Sequence, residues 1–326
     1  MNRLRLAAVL GLTAICLGWV LWGLDFGAAL RSLAGFRWGM LGPIWGLYLA
    51  AHGLRAQRFR ILLPAPIDFR ASFSALSIGY LALHVFPFRL GELVRPYLVR
   101  EQRQVPFGDS LAVVVVERLL DVTMLLAMIL GTTLFVRLPT TVEVDGHDLL
   151  GLAQRGAGAL VVAGVVGVAV VVGVGEPVLR ITDKLPLGGL FRRFREALLS
   201  LVRRPAVAAQ AFGLSVVIWV LTILAVQVQL MASTGVPSDF STALTTWTAT
   251  LSGMTVLPTP GFFGGFEAAC SAALRLFGVP QESAAPFAIL LHLAQFVFTI
   301  VLGAIFLAIE GLSLREVVAR SRSEVG

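Results

Sequence analysis

The sequence predicts an all-α integral membrane protein of about six transmembrane helices plus two opposed re-entrant helical hairpins in an inverted repeat. Three observations predict it. Hydrophobic residues make up 57% of the 326 and charged residues only 14%, with a mean hydropathy of +0.86, more apolar than a soluble domain of this length needs to be. About six runs approach the roughly 20 apolar residues that a helix needs to cross a bilayer. Two further apolar segments, far apart in the chain, each break at a Pro/Gly kink and then present a Glu. Paired interruptions of this kind mark sites built from broken helices.

The expected spans lie near 6–24, 39–57, 109–136, 156–175, 211–233 and 284–309. The first has a charged start but a long apolar run and no small-residue cleavage site after Leu24, so it reads as a retained helix rather than a leader. The hairpins are expected at 71–103 and 241–278. They place repeat one at about 39–136 and repeat two at about 211–309, joined by a basic cytoplasmic linker at 176–205. The stretch 137–155 reads as a short external cap. Cys16 and Cys270 sit in apolar surroundings without metal-type spacing and read as packing residues; no metal site and no cofactor is expected.

The net charge of +7 answers a question of orientation, not of nucleic acid binding, because its Arg residues cluster between apolar runs. With the N-terminus inside, most of the 26 Lys and Arg fall on the cytoplasmic side. That holds only if 71–103 enters from and returns to the cytoplasm while 241–278 does the same from outside. A full span over 71–88 would put Arg89, Arg95, Arg100 and Arg103 outside and strand the basic stretch 180–204 on the wrong face. Both termini are then cytoplasmic.

Three charged constellations stand out. In PFRLGELVRPYL, Arg89, Glu92 and Arg95 recur every three residues along one side of the return arm. Guanidinium groups flanking a carboxylate can grip a phosphate headgroup; a neutralising salt bridge is the plainer alternative. In VVVVERLLDVTMLL, Glu117 and Asp121 share a helix face and Arg118 can pair with Asp121. The spare acid asks for a partner, and Arg89 or Arg95 is the obvious one. This set reads equally as a clasp between helix and hairpin or as part of a site. In LPTPGFFGGFEAA, Pro258, Pro260, Gly261, Gly264 and Gly265 form a tip before Glu267, which can balance an Arg of the first hairpin or take up a proton. The absence of GK[ST] argues against a nucleotide phosphate loop.

These strings, in order and spacing over nearly the whole chain, resemble the lysylphosphatidylglycerol synthase transmembrane-region family, which includes flippase-like proteins and a hopanoid-associated branch. Phe262 stands where that family commonly has a second Gly. The resemblance implies a bacterial inner-membrane protein that moves lipid between leaflets and is not an enzyme. The chain ends shortly after the last span, so the aminoacyl-transferase domain that some members carry is not expected. The residues expected to meet the lipid are Arg89, Glu92, Arg95, Glu117, Arg118, Asp121, Pro260, Gly261, Gly264 and Glu267, with a membrane lipid as partner and the acids as candidate proton carriers. Two other classes are weighed. An enzyme acting on a lipid phosphate would have to use His52, His84 and His292, which read more simply as packing residues. A membrane scaffold would use the amphipathic basic segment 192–205.

Overall fold

The structure is a computed structural model describing residues 25–65, 67–85, 91–103, 105–136, 143–144, 147–148, 166–173, 188–256 and 259–323, with Gly18 and Gly164. The chain there is almost wholly helical: α1 (Phe26–Ala34), α2 (Leu41–Leu62), α3 (Phe69–Val85), α4 (Gly91–Arg103), α5 (Phe107–Phe135), α6 (Gly188–Arg203), α7 (Pro205–Ala232), α8 (Phe240–Val256), α9 (Gly265–Leu276), α10 (Gln281–Ile309) and α11 (Leu314–Ser323). Short 3-10 turns cover Trp38–Met40 and Pro260–Phe262. Within the expected external cap, Glu143–Val144 pairs antiparallel with His147–Asp148, a minimal ribbon to which the sequence assigns no structure.

Helices α2, α5, α7 and α10 cover four of the stretches expected to span. Of the other two, 6–24 lies outside the described residues and 156–175 lies mostly outside them. Among the described residues two helices, α7 and α10, are long and apolar enough to cross a membrane. Helices α2 and α5 carry internal charges, Arg58 on the first and Glu117 and Asp121 on the second, which pair with one another. The outward faces of α7 and α10 are apolar, with Phe212, Val217, Val220, Val297, Val301 and Ile305 exposed. Such continuous apolar surface suits lipid and not water.

The two expected hairpins are pairs of packed helices, α3 with α4 and α8 with α9. They open alike. Asp68 Oδ1 accepts from the Ala71 N–H (2.6 Å) at the start of α3, and Asp239 Oδ1 accepts from the Thr242 N–H (3.0 Å) at the start of α8. Each is an N-cap followed by Phe, and each starts a 17-residue helix. At 13 and 12 residues, the second arms are shorter than the roughly 20 residues a span requires.

Both hairpins close at small residues, as helices without a hydrophobic driving force between them must. A Cβ on Gly253 would lie 2.3 Å from that of Ala269. One on Gly91 would lie 2.3 Å from both the Gly79 carbonyl oxygen and the Leu83 nitrogen, which are backbone atoms that cannot step aside. Gly91→Ala is therefore expected to destabilise the protein by about 1–3 kcal/mol through overpacking. Gly131→Ala, with nothing described within 4 Å of its new Cβ, should stay within about 0.5 kcal/mol of the parent. Unfolding of the two variants in detergent checks this.

Each hairpin has its own apolar core. Phe59, Ile78, Val94, Leu98 and Val113 pack around the first, and α11 closes it with Val317 and Val318. Ile223, Trp247, Phe266, Leu274, Phe287 and Leu291 pack around the second. The polar groups lie between these cores, where the hairpin tips meet: the His84 ring stands edge-on to that of Phe262 at 5.8 Å.

Candidate functional site

Three polar assemblies occupy the space between the cores. The first is an ion network on α5. Glu117 and Asp121, one turn apart, have all four carboxylate oxygens engaged. Arg58 of α2, 1% exposed, gives Nε to Glu117 Oε1 (3.3 Å) and Nη1 to Asp121 Oδ1 (2.9 Å). The same Nη1 reaches Ser215 Oγ of α7 (2.8 Å). Arg95 of α4 donates to Glu117 Oε2 (2.7 Å) and lies over the Phe59 ring at 5.1 Å. Arg118 donates to Asp121 Oδ2 (2.9 Å). Three guanidinium groups thus face two carboxylates, and the network ties α2, α4, α5 and α7 together with one positive charge left over.

The second assembly holds the tip of the other hairpin. Gly264 has φ +83°, and its N–H donates to Glu267 Oε2 (2.7 Å), half of a capping box at the start of α9. Glu267 Oε1 lies 2.7 Å from His292 Nδ1 of α10. His292 Nε2 lies 3.0 Å from the Gly261 carbonyl oxygen. A carbonyl can only accept, so Nε2 carries a proton. The short Nδ1–Oε1 contact then needs a second proton, held either on the ring as imidazolium or on Glu267 as an acid. The pair shares one proton and is neutral as a unit. Phe266 stacks on the imidazole at 4.5 Å with planes 10° apart, and Phe263 covers it at 4.6 Å.

Gly261 and Phe262 both lie in the left-handed region, with φ +58° and +65°. Glycine adopts this freely, whereas a residue with a side chain is strained there. The backbone therefore explains why a second glycine suits the position that Phe262 fills. What the phenyl ring adds is a wall to the third assembly.

That assembly is a cavity of about 220 Å³ lined by α2, α3, α5, α7, α8, α10 and Phe262. Arg55, Arg118, His52, His84, Tyr48 and Gln295 supply polar groups; Trp219, Trp247 and Phe298 supply ring surface. Arg55 sits over the Trp219 ring at 5.9 Å. With Arg55 and Arg118 in the lining and no described Asp or Glu there, the cavity wall is electropositive.

A family model for the lysylphosphatidylglycerol synthase TM region matches residues 5–303, nearly the whole chain. The chain belongs to that family. It is a membrane protein of a family tied to lipid biosynthesis and flippase-like function. No curated protein and no solved structure matches it.

In this family member, the Arg118–Asp121 pair expected from spacing is present, and of Arg89 and Arg95, the two candidates to partner the spare acid, Arg95 meets Glu117. Arg95 is spent on Glu117 and does not line the cavity; Arg118 does both. Glu92 is half-buried at the start of α4. Gly261, Gly264 and Glu267 come together through His292, not through an Arg of the first hairpin. Of Pro260 only the backbone is described, and Arg89 and Pro258 lie outside the described residues. Among the described residues, no group of three or more His, Cys, Asp or Glu could hold a metal ion. Cys270 is buried and free; Cys16 lies outside the described residues.

Sequence reasoning passes over Arg58 and His292. Arg58 reads as one more orienting charge near a helix end, although Arg55 and Arg58 stand three apart and so share a face. His292 reads as packing, but a Glu opening a buried helix demands a partner, and α10 carries a His.

Proposed function

We propose that the protein is a translocase that moves an anionic, phosphate-bearing lipid between leaflets of the inner membrane, with both termini in the cytoplasm. The observation that carries this reading is the electropositive cavity where the two hairpin tips meet. Guanidinium groups match phosphate oxygens, and the exposed outer faces of α7 and α10 leave acyl chains a place in lipid while the headgroup crosses. The matching starts of α3 and α8, and second arms too short to span, support two re-entrant hairpins related as an inverted repeat. Irregular backbone at membrane depth is tolerated where it lines a hydrated cavity, and the left-handed Gly261–Phe262 tip fits that condition. The proton shared by Glu267 and His292 is the coupling ion.

Reconstitution into vesicles carrying trace fluorescent anionic lipid tests the reading by leaflet accessibility over time. Wild type is expected to exchange the lipid, and Arg118→Gln to slow exchange at least about tenfold, roughly the worth of one charge-assisted hydrogen bond. Arg89→Ala belongs in the same series. Unchanged exchange in both variants would overturn the headgroup assignment. Chemical conversion of the lipid without exchange would identify an enzyme instead.

A further inference from the structure

The unmet polar atoms of the cavity's lining are mostly donors; Tyr48 Oη, without a partner among the described residues in the same lining, can donate or accept. Arg118 Nε, Trp219 Nε1, Trp247 Nε1 and Gln295 Nε2 are buried atoms with no hydrogen-bond partner among the described residues, and their side chains line the cavity from four helices. All four are N–H donors, and indole and guanidinium nitrogens cannot accept. An unmet buried donor is costly, so this set calls for an acceptor-rich occupant. The lining includes no Asp or Glu. The carboxylates of Glu117 and Asp121 are held by Arg58, Arg95 and Arg118. Glu92 is near enough to act electrostatically on Arg118 but is not part of the lining. One acceptor faces a hydroxyl well: His84 donates Nδ1 to the Tyr80 carbonyl (2.9 Å), which in the neutral ring leaves Nε2 to receive a proton.

A headgroup carrying an ammonium fits this lining poorly. It brings a cation and further donors to a site already supplied with Arg55 and four unmet donors, one of them on Arg118. Of the ring faces that would attract it, that of Trp219 already has the Arg55 guanidinium over it, and a cation at Trp247 would still share the cavity with Arg55 and Arg118. A headgroup of phosphate and hydroxyls fits well. Phosphate oxygens take the guanidinium donors, hydroxyl oxygens take the indole and amide N–H groups, and Trp219 and Trp247 offer flat faces to a carbon skeleton.

We infer that the cavity selects an anionic headgroup made of a phosphate and hydroxyls, a glycerol phosphate or a sugar phosphate, and rejects headgroups bearing an ammonium. This rests on the translocase reading for its role but not for its binding chemistry. It separates this chain's substrate from the aminoacylated lipid after which its family is called.

The test uses the full chain twice. In vesicles, exchange is followed for labelled phosphatidylglycerol, phosphatidylinositol, phosphatidic acid, phosphatidylethanolamine and lysyl-phosphatidylglycerol. In detergent, calorimetry measures binding of short-chain versions of the same lipids. Phosphatidylglycerol or phosphatidylinositol is expected to bind and exchange at least about tenfold better than either ammonium lipid, a conservative figure for a charge beside two guanidinium groups. Which of the two leads distinguishes the glycerol from the sugar headgroup. Phosphatidic acid, lacking the hydroxyls, is expected to be intermediate. Trp247→Phe keeps an aromatic face in a smaller side chain and removes the indole N–H, and should bring phosphatidylglycerol down towards phosphatidic acid without improving the ammonium lipids. Equal binding of an ammonium lipid overturns the inference whether or not anything is exchanged, and so does absence of all binding. Selective binding without exchange of any lipid leaves the inference standing and removes the translocase reading.

Discussion

Glu117→Leu is expected to be the most damaging single substitution in the ion network, costing about 3–5 kcal/mol, the usual loss when one partner of a buried ion pair is removed. The reason is charge count as much as contact. With Glu117 gone, Arg58 and Arg118 share Asp121, and Arg95, 2% exposed, loses the carboxylate it holds at 2.7 Å. Arg58→Leu is expected to cost less although Arg58 makes more bonds. Its loss leaves Arg95 on Glu117 and Arg118 on Asp121, two carboxylates with one guanidinium each. Arg118→Leu should cost least, since that side chain is 34% exposed and water can compensate. The double variant Glu117→Leu with Arg95→Leu should recover at least half of the single loss, because a well-packed apolar pair often replaces a buried ion pair at no cost. Denaturant unfolding in detergent ranks the four variants. An Arg58→Leu loss equal to that of Glu117→Leu would show that bond count, and not residual charge, governs this site.

How far the sequence reaches into this architecture follows from what kind of physics each feature obeys. The helices of both hairpins and the tip between α8 and α9 are local matters. Proline and glycine interrupt apolar runs at 258–265, and Asp68 and Asp239 cap helices from their own first turns. The pairing of Arg118 with Asp121 is equally local, one helical turn on a single element. Arg95 with Glu117 is legible at one remove, because an apolar helix with two acids and one Arg needs another cation nearby. Arg58 and His292 are not legible in this way. Their partners lie 59 and 25 residues away in sequence, and which helix faces which is decided by glycine contacts such as Gly303 against Leu81, 2.4 Å from an added Cβ. The cavity is the least legible of all. Its donors come from α5, α7, α8 and α10; Arg118 stands out in the sequence, but Trp219, Trp247 and Gln295 look like ordinary residues of apolar helices.

Glu267→Gln and Glu267→Ala are expected to behave differently, and the difference separates a structural buttress from a proton carrier. The Gly261 carbonyl keeps the proton on His292 Nε2 in every state that preserves this contact. A Gln at 267 can then donate its amide N–H to Nδ1 and accept the Gly264 N–H on its carbonyl oxygen. It reproduces the protonated form of the pair, bond for bond. Its stability should lie within about 1 kcal/mol of wild type, whereas Glu267→Ala orphans both Gly264 N–H and His292 Nδ1 and should lose about 2–6 kcal/mol, at 1–3 for each buried group left unmet. Transport should not follow stability. Removing the shared proton from the native pair sets the Nδ1 lone pair against a carboxylate oxygen at 2.7 Å, a repulsive contact that drives His292 and Glu267 apart. His292 also holds Gly261, so loss of that proton loosens the tip that carries Phe262, a wall of the cavity. The Gln variant cannot make this change. It should fold and bind lipid yet exchange it at least about tenfold more slowly, the effect of roughly 1.4 kcal/mol on a rate. If Glu267→Gln exchanges lipid like wild type while Glu267→Ala fails only in proportion to its instability, the pair is a buttress and the coupling ion must be sought elsewhere.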